Sequence, residues 1–164
     1  ELPAIRRFLG DRGPPWRAAM EGPGPMHVLL IEDDALMRQL LSEMLAEDGI
    51  EVDGLANAED ALILLGAGQV PDVLVTDVDL GPGLSGLDLA AIARERHPDL
   101  ELVFISGMPL PDDAVPRARH ERFLQKPFAP AALADAIRSA AADAMQRGGV
   151  HPAPAPTGPP GPRN

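Results

Sequence analysis

The chain has 164 residues, 45% of them hydrophobic, no cysteine and a formal net charge of −11. That length sets an expectation of one domain with a real core, and the lack of cysteine excludes disulfides, thiol nucleophiles and thiolate metal sites. No apolar run approaches the roughly 18 residues of a membrane span, and residues 1–25 lack the apolar core of a signal peptide, so the expectation is a cytoplasmic protein with no membrane contact.

Residues 1–25 hold five of the 19 prolines and a net charge of +1, and read as a flexible leader, processed or translated from upstream, ahead of a domain starting at Met26. His27–Ile31 is the first predicted strand, a short apolar run that stops in Glu32, Asp33 and Asp34. Ala35–Glu47 carries a helical stripe of Leu36, Met37, Leu40, Leu41, Met44 and Leu45, and Asp48-Gly49 closes it. Ile50–Leu55 is a weaker strand, and Asn57 is the expected N-cap of a helix over Ala58–Leu65. Pro71–Thr76 is the third strand and runs into Asp77, Val78 and Asp79. Leu87–Arg96 is a helix ended by His97-Pro98, and Leu100–Ile105 is the fourth strand, ending at Ser106.

Pro109, Pro111 and Pro116 leave any helix over 109–120 short or irregular. Arg122–Gln125 is a fifth strand ending at Lys126, and Pro130–Met145 is an alanine-rich helix. Residues 148–164 read as a disordered Pro-rich tail. Five strand–helix units in the 26–147 domain predict an α/β fold with a doubly wound parallel sheet.

In such a sheet, ligands sit beyond the carboxyl ends of the strands. If the first and third strands are neighbours, Glu32, Asp33, Asp77 and Asp79 converge there, and like charges so close need a proton or a cation. Hard oxygen ligands suit magnesium, calcium or manganese rather than zinc. Asp77 is a candidate nucleophile, since aspartate can carry an aspartyl-phosphate. Ser106 offers a hydroxyl to a phosphoryl oxygen. Lys126, the single lysine among 14 Lys and Arg residues, offers a compact ammonium on a flexible stem. The bland alternatives are an exposed loop carboxylate or a helix N-cap for Asp33 and for Asp77, and chance for Lys126.

Taken together, these strand ends resemble the receiver domain of two-component response regulators, from about Met26 to Met145. The most specific parts are Val28 to Asp34, Pro71 to Asp77 followed by Gly86 to Leu89, and Phe123 to Phe128. The resemblance implies a flavodoxin-like fold with helices on both faces of a sheet in the order 2-1-3-4-5. It implies that Asp77 takes a phosphoryl group from a histidine kinase or phosphotransfer protein, as a signalling domain rather than an enzyme. Asp33, Asp77 and the backbone carbonyl of Asp79 would bind Mg2+ directly, with Glu32 acting largely through water. Ser106 and Lys126 would contact the phosphoryl group, and Ser106 with Phe123 would form the switch. Phe123 is otherwise simply a core or edge aromatic. In this family the peptide before Pro127 is usually cis.

Three departures from the family stand out: Gly81 replaces a usual proline, the stretch from Asp77 to Gly86 is one residue longer, and Gly107 stands where alanine is common. Two other readings compete. Gly81-Pro-Gly83-Leu-Ser-Gly86 matches the dinucleotide fingerprint, but Pro82 lacks an amide and the aspartates repel a pyrophosphate. Asp77-Val-Asp79 looks like the motif of haloacid-dehalogenase-type phosphatases, but there it lies on the first strand. The segment 26–147 holds a charge of −13, which disfavours nucleic acid. A helix-turn-helix module would need about 60 further residues. Output is therefore expected through a downstream protein target or a self-dimer, from either a stand-alone receiver or part of a longer protein.

Overall fold

The computed structural model describes residues 25–109 and 120–148. Five strands form one parallel sheet: β1 (His27–Ile31), β2 (Glu51–Leu55), β3 (Val73–Asp77), β4 (Glu101–Ser106) and β5 (Glu121–Gln125). Their order is β2-β1-β3-β4-β5, as the resemblance implied. The helices are α1 (Ala35–Glu47), α2 (Ala58–Gly66), α3 (Gly86–Arg96) and α4 (Pro130–Gly148). The expected short or irregular helix over 109–120 falls almost wholly outside the described residues, as do nearly all of the leader and the tail. Helix α4 runs past the expected Met145 to Gly148, and no described helix is long and apolar enough to cross a membrane.

The three inner strands are buried along their whole length because both sheet faces are covered. Alternate side chains serve alternate layers. Leu29, Ile31, Leu74, Leu102 and Phe104 pack against Ala58, Ala61, Leu64 and Leu65 of α2 and Leu89, Ala90 and Ala93 of α3. Val28, Leu30, Val73, Val75, Val103 and Ile105 pack against Leu41 and Leu45 of α1 and Leu133, Ala134, Ile137 and Ala140 of α4. The edge strands β2 and β5 are only partly buried, which is why they are less apolar.

The helix starts follow from side chains that satisfy free amides. Asn57 accepts from the Asp60 amide as expected. Asp34 accepts from the Met37 amide at 3.0 Å and caps α1. Ser85 and Asp88 form a reciprocal capping box at α3. With Asp34 at the cap, Glu32 and Asp33 are left to face the sheet end.

At the opposite end of the sheet, the buried carboxylate of Glu101 sits 3.1 Å from His120 Nδ1 and accepts from Arg122 at 3.3 Å. Arg122 also donates to Ser139 and Asp143 of α4. A carboxylate this buried is tolerable because it is paired. Sequence reading gave Glu101 no such role.

Gly86 opens α3 where that helix meets β3. A Cβ there would lie 2.1 Å from the Asp77 carbonyl oxygen, an approach only glycine permits. Gly107, by contrast, has nothing within 4 Å of its Cβ position. Gly86→Ala should therefore destabilise the fold by about 1–3 kcal/mol through overpacking against backbone, while Gly107→Ala should stay within about 0.5 kcal/mol of the parent. Urea unfolding of the two variants checks this, and equal midpoints would contradict it.

Candidate metal and phosphoryl-transfer site

The sheet order reverses at β1, whose neighbours are β2 on one side and β3 on the other, and the crevice between β1 and β3 is where ligands gather in such folds. The backbone ladder continues one residue past each strand end that matters. Glu32 donates to the Leu55 carbonyl at 3.0 Å, Val78 to Ile105 at 2.8 Å, and Lys126 to Ser106 at 2.7 Å. These bonds fix the backbones of Glu32, Asp77 and Lys126 in one rigid frame.

Asp77 is the last residue of β3 and is buried. Its Oδ2 accepts from Lys126 Nζ at 2.7 Å, and its Oδ1 accepts from the Asp79 amide at 3.0 Å. Thr76 Oγ1 donates to its carbonyl at 2.9 Å. Glu32 is 2% exposed, and its Oε2 lies 3.7 Å from Lys126 Nζ. Asp33 is exposed beside it. Ligand oxygens of Glu32, Asp33 and Asp77 all lie within 4.8 Å of one another. The structure thus brings these three carboxylates and the lysine together. Asp33 does not cap α1, since Asp34 does, and Asp77 does not cap α3, since Ser85 does.

The other expected residues are placed as follows. The Asp79 side chain is turned to the Gly81 amide, which it accepts at 3.1 Å. Ser106 is buried, and its hydroxyl donates to the Met108 carbonyl at 2.8 Å and accepts from the Met108 amide at 3.1 Å. Phe123 is half-buried, sits opposite Phe104 in the ladder and packs on the α2–α3 side of the sheet. The Lys126–Pro127 peptide is cis. Arg38, which sequence reading passed over, donates to the Glu32 carbonyl at 2.6 Å. No motif pointed to it, because the contact depends on where α1 lands.

The charges decide what this pocket holds. Burial pushes the Glu32 carboxyl up to about 7, Asp77 adds to the rise, and Lys126 pulls the other way. Burial by itself would lower the Lys126 ammonium, but its bond to Asp77 and the charges of Asp77 and Glu32 outweigh this and hold it above the ordinary lysine value. Glu32 Oε2 is buried with no hydrogen-bond partner among the described residues. An all-oxygen cluster with one orphaned buried oxygen fits a hard divalent cation such as magnesium.

The sequence matches the family described as the response regulator receiver domain over residues 28–138. The chain belongs to that family. Receiver domains of this kind serve two-component phosphorelay signalling. This receiver is 35% identical over 112 residues to the response regulator protein FleR of Pseudomonas aeruginosa, covering 67% of this chain and 23% of FleR. It is 37% identical over 121 residues to the transcriptional regulatory protein PdtaR of Mycobacterium tuberculosis, covering 71% of this chain and 57% of PdtaR. The chain therefore spans less than two thirds of either relative. Among solved structures, it superimposes on a response regulator receiver protein from Sinorhizobium medicae with a TM-score of 0.68 at 27% identity, covering 73% of this chain and 97% of that one.

The raised Glu32 value has a consequence for stability. Its folded value of about 7 lies above the ordinary 4.5, so the folded state binds the proton more tightly. Its contribution to metal-free stability is fully present below about pH 4.5 and is lost as pH rises through about 7, by at most on the order of 3 kcal/mol. In EDTA, Glu32→Gln should flatten that decline between pH 4.5 and 7. Urea unfolding across this range checks it, and an unchanged slope in the variant would refute it.

Proposed function

We propose that this receiver accepts a phosphoryl group on Asp77 from a histidine kinase or a phosphotransfer protein, with Mg2+ held by Glu32, Asp33, Asp77 and the Asp79 carbonyl. The observation that carries the reading is the buried Asp77 carboxylate, with the ammonium of Lys126 at 2.7 Å and two further carboxylates beside it. A carboxylate oxygen of Asp77 attacks phosphorus, the phosphorus–nitrogen bond of the donor phosphohistidine breaks, and its electron pair returns to the imidazole. Lys126 then exchanges its bond to Asp77 for one to a phosphoryl oxygen, so the charge arriving at the site already has a fixed counter-ion. A magnesium ion held by these residues would supply further neutralisation of the charge that gathers there.

Ser106 donates its hydroxyl to the phosphoryl group after giving up Met108. Space beside the end of β4 then admits the Phe123 ring, which is already half-buried against the α2–α3 layer. Because the domain carries −13, we read its output as contact with a downstream protein target or a second copy rather than with nucleic acid, in a cytoplasmic setting. The domain takes up residues 26–147.

Acetyl phosphate with magnesium should add one phosphoryl group to the wild-type chain, and Asp77→Asn should remove that label. Intact mass spectra check this, and undiminished labelling of Asp77→Asn would overturn the assignment. Magnesium at a hundredfold excess over its dissociation constant should stabilise the wild type by about 2.7 kcal/mol, and Asp33→Ala should lose that response. An identical magnesium-induced rise in melting temperature for both proteins would contradict the ligand set. A beryllofluoride complex should shift amide resonances near Ser106 and Phe123; shifts confined to the loops at Asp33 and Asp77 would remove Phe123 from the relay.

A further inference from the structure

The loop joining β3 to α3 forms one wall of the pocket and is one residue longer than usual for the family. Most of its hydrogen bonds close locally. The Asp79 amide goes to Asp77 Oδ1, the Gly81 amide to Asp79 Oδ1, the Ser85 amide to Asp88 Oδ2, and the Gly86 amide to the Val78 carbonyl. Beyond Val78, whose amide extends the sheet ladder to Ile105, Leu84 donates at 3.0 Å to Oε1 of Glu59, 25 positions earlier, in the first turn of α2.

The neighbouring glycine is shaped for this contact. A Cβ on Gly83 would lie 2.6 Å from Glu59 Oε1, and Gly83 has a φ of +99°. At its other end the same loop passes near the acidic cluster: a Cβ on Gly81 would lie 3.7 Å from Asp33 Oδ2. Leu80 is 5% exposed and packs in the core with half-buried Leu84 beside it, so apolar burial holds the loop down. Burial is non-directional and does not orient peptide groups; a hydrogen bond from a fixed helix does.

We propose that Glu59 is a positioning residue for the metal pocket: its carboxylate clips the β3–α3 loop to α2 and thereby holds Asp79 where the cation needs it. The inference rests on the magnesium reading proposed above. Glu59 also stands in the first turn of α2, where an acid supports a helix through its dipole. That role alone does not require the Leu84 amide, and the test below separates the two. Without the clip, the loop must be ordered when the cation binds, and that cost appears as weaker affinity.

The test is calorimetric titration of magnesium chloride into the full chain, for the wild type, Glu59→Ala and Glu59→Gln, with the Leu84 amide followed in 1H–15N spectra. Glu59→Ala should weaken magnesium binding about three- to tenfold, the range of one lost hydrogen bond, and shift the Leu84 amide. Glu59→Gln keeps an acceptor oxygen but removes the charge, and should restore most of the affinity and the amide position. Wild-type affinity in Glu59→Ala overturns the inference, as does equal weakening in both variants, which would assign the effect to charge alone. If the wild type itself binds no magnesium, the metal reading falls and this inference falls with it. Unchanged affinity in Glu59→Ala, on a wild type that does bind, refutes the clip alone.

Discussion

Asp77 and Lys126 meet at 2.7 Å from the ends of β3 and β5, two strands kept apart in the sheet by β4. This pair is the constraint around which the pocket is arranged. Asp77 is buried, Glu32 is buried beside it, and Asp33 completes a cluster whose ligand oxygens lie within 4.8 Å of one another. Burial, with Asp77 beside it, raises the proton affinity of Glu32. One ammonium offsets part of the repulsion. The rest is what a divalent cation could offset.

Holding that pair in register requires a stiff backbone, and the sheet provides it. Ladder bonds run past the strand ends at Glu32, Val78 and Lys126. Gly86 lets α3 close directly onto the Asp77 carbonyl, while Thr76 donates to the same oxygen. The backbone of Asp77 is therefore held from both sides. The Glu101–His120–Arg122 network ties β4, β5 and α4 together at the far end of the sheet, away from this chemistry.

The departures from the family pattern fall in the loops rather than in this frame. The longer β3–α3 segment is accommodated by two glycines at positive φ, Gly81 and Gly83, so Asp77 and Gly86 still meet. The dinucleotide reading of the same glycines fails on geometry: Asp79 Oδ1 takes the Gly81 amide, Asp88 takes the Ser85 amide and Glu59 takes the Leu84 amide, so these donors are turned to the protein's own carboxylates.

The strands, their alternation with helices, and the acid, hydroxyl and lysine at the strand ends are legible along the chain. Continuous apolar runs, cap residues and the single lysine are local signals, and each reports a local requirement. Sequence pattern placed most boundaries within a residue or two, and Asp77 and Ser106 end their strands as expected. Asp33 stayed open as an N-cap because three acids in a row at 32–34 are equivalent until a helix axis selects Asp34, and Asp77 stayed open until Ser85 took the cap of α3. Tertiary packing buries Glu32 while leaving Asp33 exposed, makes Glu101 a buried hub and brings Glu59 to Leu84. Each of these depends on the distance between elements far apart in the chain, and spacing along a sequence carries no record of that distance.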